Sequence, residues 1–273
     1  MKKILSVVLA VVLAFGMVAA FSSCTQKSDW EKIQEKGYFY CGITLYAPMN
    51  YYENDELVGF DTEFAQAVAE YLGVEAKFVT IKWPQKYLEL DSGAIDAIWN
   101  GFTYGDEEGI SRTEYVDFTH AYLENRQVIV TKADKLSTYN TKEAFAGLKA
   151  AAEGGSSGEA VAKELAGANT LVTPFDAQSS ALMEVKSGMA EFAVIDYQMA
   201  NAMVGKGDYA DLSINPAYAP ESEVYAIGCR KGSDFTAKLN EAIEALSENG
   251  TLAAIAEKYK LTNDLIANIG SDK

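Results

Sequence analysis

The chain is poor in the residues that most often carry chemistry. Of its 273 residues, one is histidine, three are cysteine and five are proline. His120 is the only histidine and has no partner cluster, so neither a metal site nor any other cofactor is expected. Three cysteines do not make a disulfide framework. Cys41 and Cys229 each fall in a predicted strand and read as two buried free thiols. Basic residues are outnumbered by acidic ones, 23 to 39, for a formal net charge of −16 and a pI near 4.5. This balance excludes nucleic acid and an anionic membrane patch as partners, because both are held by an excess of Lys and Arg. It says nothing about the charge of a small ligand. Beyond the N-terminus there is no apolar run long enough to cross a bilayer.

What is present begins with a leader. Lys2 and Lys3 precede an apolar run over residues 4–20, broken only by Ser6 and Gly16, and Ser22-Ser23-Cys24 follows. This is the anatomy of a secretory signal. A membrane anchor is the competing reading, since the run approaches spanning length. The Cys after two small residues favours the signal: it resembles a lipobox, with Phe21 where that pattern favours Leu, which implies cleavage after Ser23 and lipidation of Cys24.

The remainder, 49% hydrophobic, is large enough for one big domain or two lobes. Residues 58–103 alternate α and β signals on a short period. Asp61 is a plausible N-cap for a helix whose apolar face is Phe64, Ala65, Val68, Ala69 and Leu72, with Gly73 closing it. A strand over 76–81, a helix to Asp91, the Ser92-Gly93 turn and a strand over 95–99 follow. Asn100-Gly101-Phe102-Thr103 then lies just past a strand end, where open α/β sheets take their ligands. Further on, the strand 150–152 runs into Gly154-Gly155-Ser156-Ser157-Gly158 and a helix, which offers bare backbone N–H groups to an anion. A G-x-S-x-G nucleophile elbow it is not. A strand over 190–195 ends in Asp196, which reads either as an N-cap for the next helix or as a ligand contact. A weak echo links Ser92-Gly93 and Asp96 to Ser187-Gly188 and Glu191, each before a strand, and two lobes of similar build account for it.

The order of Gly59-Phe60-Asp61, Trp83, the SGxxDxI of residues 92–98 and the NGFT of residues 100–103, with Arg230–Ser233 and Glu248–Leu252 later, resembles the extracytoplasmic solute-binding proteins of polar amino acid ABC importers, over about residues 33–261. The resemblance implies an α/β fold, a two-lobed periplasmic-binding-protein-like (type II) clamp. Residues 1–23 are then the signal peptide, 24–29 a tether, 30–130 with 226–273 the first lobe and 131–225 the second, hinged at 127–133 and 216–225. The implied function is that of a monomeric, non-enzymatic lipoprotein. It sits on the outer face of the cell membrane through Cys24 and delivers a free L-amino acid to ABC permease subunits.

A zwitterion asks for donors to its carboxylate and an anion for its ammonium, and Arg is the natural carboxylate partner. By resemblance that Arg is Arg112, five residues before Asp117-Phe118. The stretch from Thr103 to Arg112 is about four residues longer than the family places it, which makes Arg126 the alternative. Ser157 with its amide, beside Ser156, faces the carboxylate from the second lobe by the same resemblance. Asp196 takes the ammonium with the Gly101 carbonyl and Thr103, Asn100 belongs to the same site, and Tyr46 and Trp83 flank the ligand side chain. Core packing is the competing role for Trp83. The family often has an Asp shortly before the Tyr, and Gly42-Ile43-Thr44-Leu45 contains none, so neutral or polar ligands are expected over Lys, Arg or His. A ligand-sensing domain of the same fold and a cyclohexadienyl-dehydratase-like enzyme are the competing functions. The latter needs a general acid in the cleft, and no titratable pair marks one in the sequence.

Overall fold

The computed structural model describes residues 27–105, 111–218, 221–267, 269 and 270. The signal segment, Cys24 and residues 106–110 of the long loop lie outside them. The elements in chain order are α1 (Asp29–Lys36), β1 (Tyr38–Ile43), β2 (Tyr51–Glu53), β3 (Glu56–Val58), α2 (Phe60–Leu72), β4 (Glu75–Thr80), α3 (Lys86–Asp91), β5 (Ala97–Thr103), β6 (Val116–Phe118), β7 (Leu123–Asn125), β8 (Gln127–Lys132), β9 (Ala150–Glu153), α4 (Ser157–Ala166), β10 (Val172–Phe175), α5 (Gln178–Ser187), β11 (Phe192–Asp196), α6 (Tyr197–Met203), β12 (Leu212–Asn215), β13 (Glu223–Arg230), α7 (Phe235–Glu248) and α8 (Thr251–Lys258).

Local chemistry sets several of these ends. Ser28 and Glu31 form a capping box at the start of α1, and Gly37 ends that helix in the left-handed region. Helix α2 buries Phe60, Phe64 and Val68 completely, each contributing about 1.5–3 kcal/mol. Asp61 is not the cap of α2. Gly59 occupies the N-cap position and Asp61 points inward, fully buried. The strand expected over 95–99 runs instead to Thr103, so the NGFT residues are the buried end of β5 rather than a loop beyond it.

Two sheets result. The first has the order β4-β1-β5-β13-β6, with β7 also on β13, and the second β10-β9-β11-β8-β12. In each, parallel pairs at one side give way to antiparallel pairs at the other. Trp99 anchors the first core against Phe39 and Phe64. The repeated Asp96 and Glu191 do the same job in the two sheets: Asp96 accepts the Tyr40 N–H at 2.9 Å and Glu191 the Lys149 N–H at 2.9 Å, each tying a neighbouring strand. Cys41 and Cys229 are free and buried. Burial pushes the Cys229 thiol up to about 12.

The chain crosses between sheets twice. β7 pairs with β13 in the first sheet and β8 with β11 and β12 in the second, so the first crossing is Arg126 itself. Strand β8, expected in the first lobe with a hinge over 127–133, therefore belongs to the second sheet. Its unbroken apolar run, Val128-Ile129-Val130, suits either sheet. The return crossing lies between β12 and β13.

Candidate functional site

One wall of the cleft is the end of β5. The Asn100 side chain accepts the Thr44 N–H at 3.0 Å and the Thr44 hydroxyl at 2.7 Å, and donates to the Thr44 carbonyl at 2.8 Å and Asn50 Oδ1 at 2.7 Å. Its amide is thus spent on bracing the turn before Tyr46. Gly101 has φ +53°, and a Cβ there would sit 1.9 Å from the Tyr46 hydroxyl, so only glycine fits. The Gly101 N–H donates to Asp61 Oδ2 at 2.7 Å, and Tyr122 Oη donates to Asp61 Oδ1 at 2.8 Å. Burial pushes the Asp61 carboxyl up to about 7 in spite of both bonds. The Gly-Phe-Asp motif thereby holds the bent backbone of the site from behind, a role its sequence context as a helix start concealed.

Arg112 is 1% exposed, and its Nη1 donates to the Thr103 carbonyl at 2.8 Å. Its Nη2 reaches across to the second sheet and donates to Ser157 Oγ at 2.7 Å. Arg126 does not enter the cleft: its guanidinium lies 3.5 Å from the Tyr197 ring centroid.

The facing wall is built from strand and helix ends of the second sheet. Ser156 caps α4, accepting the Glu159 N–H at 3.2 Å and donating to the Glu153 carbonyl at 2.7 Å. A Cβ at Gly158 would lie 2.7 Å from the Val194 carbonyl oxygen, so glycine lets the first turn of α4 close onto β11. Asp196 makes no side-chain cap bond to α6. Its carboxylate accepts from Asn125 Nδ2 at 3.0 Å and from the Gln127 and Gln178 side-chain amides. Burial raises its pKa, and those donors work against the rise. Two of them, Asn125 and Gln127, flank the Arg126 crossing, so the crossing is tied to the carboxylate. Glu223, where β13 begins, shares the Asn125 and Gln127 donors and accepts from Thr103 Oγ1 at 3.2 Å.

These walls meet closely and leave a cavity of about 10 Å³ between them. Of the nine residues the sequence singled out there, Trp83, Asn100, Gly101, Thr103, Arg112, Ser156, Ser157 and Asp196 line it. Tyr46 stands behind Gly101, its buried hydroxyl and that of Tyr225 making no well-formed hydrogen bond. The cavity also brings in Gln178 and Glu153, both missed in the sequence. Glu153 ends the small-residue strand β9 and is 2% exposed. Burial, then Asp196, raises its pKa well above the ordinary carboxylate value. A charged residue just before a Gly-Ser helix start was the signal available. The expectation of neutral or polar ligands rests on the lack of an acid just before Tyr46, and Glu153 brings a carboxylate to the cavity from another strand.

Further bonds bridge the lobes: Lys86 Nζ donates to the Gly155 carbonyl at 2.9 Å, and the Trp83 N–H to the Asp176 carbonyl at 3.3 Å. Burial pushes the Lys86 ammonium down to about 7, helped by Arg112. His120 is bound to Glu244 and Asn240, and no group of His, Cys, Asp and Glu able to hold a metal occurs among the described residues. No described helix is long and apolar enough to cross a membrane.

The model of the bacterial extracellular solute-binding proteins, family 3, matches residues 41–262. The L-cystine-binding protein TcyJ of Escherichia coli is 29% identical over 257 residues, covering 92% of each chain. The arginine-binding extracellular protein ArtP of Bacillus subtilis is 28% identical, covering 95% of this chain and 98% of its own. A solved substrate-binding protein of an ABC uptake transporter from Streptococcus pneumoniae, with bound histidine, is 30% identical with a TM-score of 0.76, covering 86% of this chain and 97% of its own. The structural neighbours share the two-lobed type II architecture. A match over residues 41–262 spans most of the chain, its two-sheet core and the whole cleft, and on that ground the chain belongs to the bacterial extracellular solute-binding proteins of family 3.

Proposed function

We propose that the chain closes two lobes on a free L-amino acid outside the cytoplasm and presents it to the permease subunits of an ABC importer. The observation that supports this is the distribution of charge in the cleft: Arg112, on the first wall, faces a site that Asp196, on the second, completes. A carboxylate and an ammonium on one carbon fit that spacing of opposite charges, and Ser157 with the start of α4 adds donors on the carboxylate side. The lobes in this reading follow the two sheets, hinged at Arg126 and the β12–β13 connection. The protein acts as a monomer, tethered by a lipid on Cys24 after cleavage behind Ser23. The relatives named above, a cystine-binding, an arginine-binding and a histidine-bound protein, support the ligand class.

A cyclohexadienyl-dehydratase-like enzyme is the second reading, and Glu153 favours it, because a buried carboxylic acid in the cleft is what a general acid requires. Mass spectrometry of the small molecules released from purified, denatured protein separates the two. A free amino acid recovered unchanged after long incubation supports binding. A cleft loaded with anything but an amino acid, or a ligand converted on incubation, contradicts it. Fatty-acid labelling of wild type but not of Cys24→Ala tests the tether.

A further inference from the structure

The cleft holds one carboxylate more than a zwitterion can pair. The ligand carboxylate takes Arg112 and the ammonium takes Asp196. The Glu223 carboxylate is engaged by Thr103, Asn125 and Gln127. Glu153 is left over. It lines the cavity, is 2% exposed, and its Oε1 has no hydrogen-bond partner. An anion so buried and half satisfied is costly unless something charged meets it.

The groups packed around Glu153 do not supply that partner. Asp196, on the neighbouring strand β11, repels it. From α5 comes the Gln178 backbone N–H, a neutral donor, while the Thr44 hydroxyl on the first wall gives its proton to Asn100. Lys86 attracts it from α3 but forms no ion pair with it among the described residues. Its ammonium donates to the Gly155 carbonyl and lies 4.8 Å and 4.7 Å from the Trp83 and Tyr87 ring centroids. Lys86 is also absent from the residues lining the cavity. The unpartnered Oε1 is therefore open to a ligand in the cavity, and a cationic group there would favour its ionised form.

We propose that Glu153 reads the ligand side chain, and that the ligand is an amino acid whose side chain carries a cation: a guanidinium, an ammonium or an imidazolium. This rests on the amino-acid reading of the cleft. Trp83, which lines the same cavity, suits a flat or compact cation alongside the carboxylate. A competing arrangement has Glu153 share the α-ammonium with Asp196, since β9 and β11 are parallel neighbours.

Calorimetric titration of the whole protein with matched pairs decides among these: arginine with citrulline, lysine with norleucine, histidine with glutamine. In at least one pair the cationic member should bind about thirtyfold tighter or more, as charge-assisted bonds in a dry site do. Glu153→Gln should erase most of that ratio while leaving the neutral member bound and the ligand-free melting temperature near wild type. Neutral members that bind as tightly as cationic ones overturn the proposal and leave the amino-acid reading intact. So does a Glu153→Gln protein that weakens both members equally, which assigns Glu153 to the α-ammonium. Binding of none of the six removes the amino-acid reading as well. If Glu153→Gln does not fold, the wild-type ratios alone decide.

Discussion

The two walls of the cleft carry opposite charge and are held in different ways. The first wall presents a cation, Arg112, and its geometry is fixed by a buried network within its own lobe: Asp61 on Gly101, and Asn100 with Thr44 and Asn50. The second wall presents the carboxylates Glu153 and Asp196, and Asp196 is held by amides that come from the hinge strands. One wall is thus braced internally, while the other is coupled to the strands on either side of the Arg126 crossing. The contrast teaches that neither wall alone presents both charges, so in the proposed reading binding and closure are one event. In the proposed reading it also separates residues that set shape, Asp61 and Asn100, from those that meet ligand, Arg112, Ser157 and Asp196.

The largest effects should come from breaking the charge opposition. Arg112→Ala or Asp196→Ala should each weaken amino-acid binding by about 2–5 kcal/mol, because the surviving partner and the ligand end it faced are left buried and unpaired. Arg126→Ala, whose side chain stacks on Tyr197 outside the cavity, should bind within about 1 kcal/mol of wild type. Calorimetry on the three variants checks this, and normal binding by Arg112→Ala with loss in Arg126→Ala would reverse the assignment.

A second, smaller effect sharpens the contrast by probing the brace itself. Asp61 holds its proton more tightly folded than unfolded, its pKa rising from 3.8 to about 7. Its contribution to stability is thus fully present below about pH 4 and is lost as pH rises through about 7. Chemical denaturation of wild type and Asp61→Asn between pH 4 and 8 should show a downward slope in the wild type that flattens in the variant. Parallel slopes would mean that Asp61 titrates normally. The smallest effect is expected at the rim, where Lys82 and Asp176 bridge the lobes at 2.9 Å with side chains 59% and 60% exposed. Lys82→Ala should change binding by under about 1 kcal/mol, less still in high salt.

Much of this was legible beforehand, and the misses have physical causes. The α/β alternation, the Gly-closed helices and the strand-end placement of Asp196 follow from periodicity and turn chemistry, which are local. Asp61 was misread because an acid at a helix start is ordinarily a cap, and only tertiary contact with Gly101 and Tyr122 gives it another task. The extent of β5 was underestimated because Asn100 and Gly101 disfavour strand, and their burial against Thr44 and Tyr46 overrides that preference. Strand β8 was assigned to the wrong sheet because which sheet a buried strand joins is decided by partners far away in sequence. Glu153 escaped notice for the same reason: nothing next to it in the chain reveals that β11 brings Asp196 alongside and leaves its Oε1 without a partner.

The central claim is that a ligand is read by charges on opposite walls, which requires closure. Small-angle scattering of the ligand-stripped protein, with and without a saturating amino acid identified by calorimetry, tests it most directly. The account predicts a smaller radius of gyration with ligand for the wild type, and none of that contraction for Asp196→Ala at the same ligand concentration. A wild-type protein that binds the amino acid with an unchanged scattering curve would contradict it.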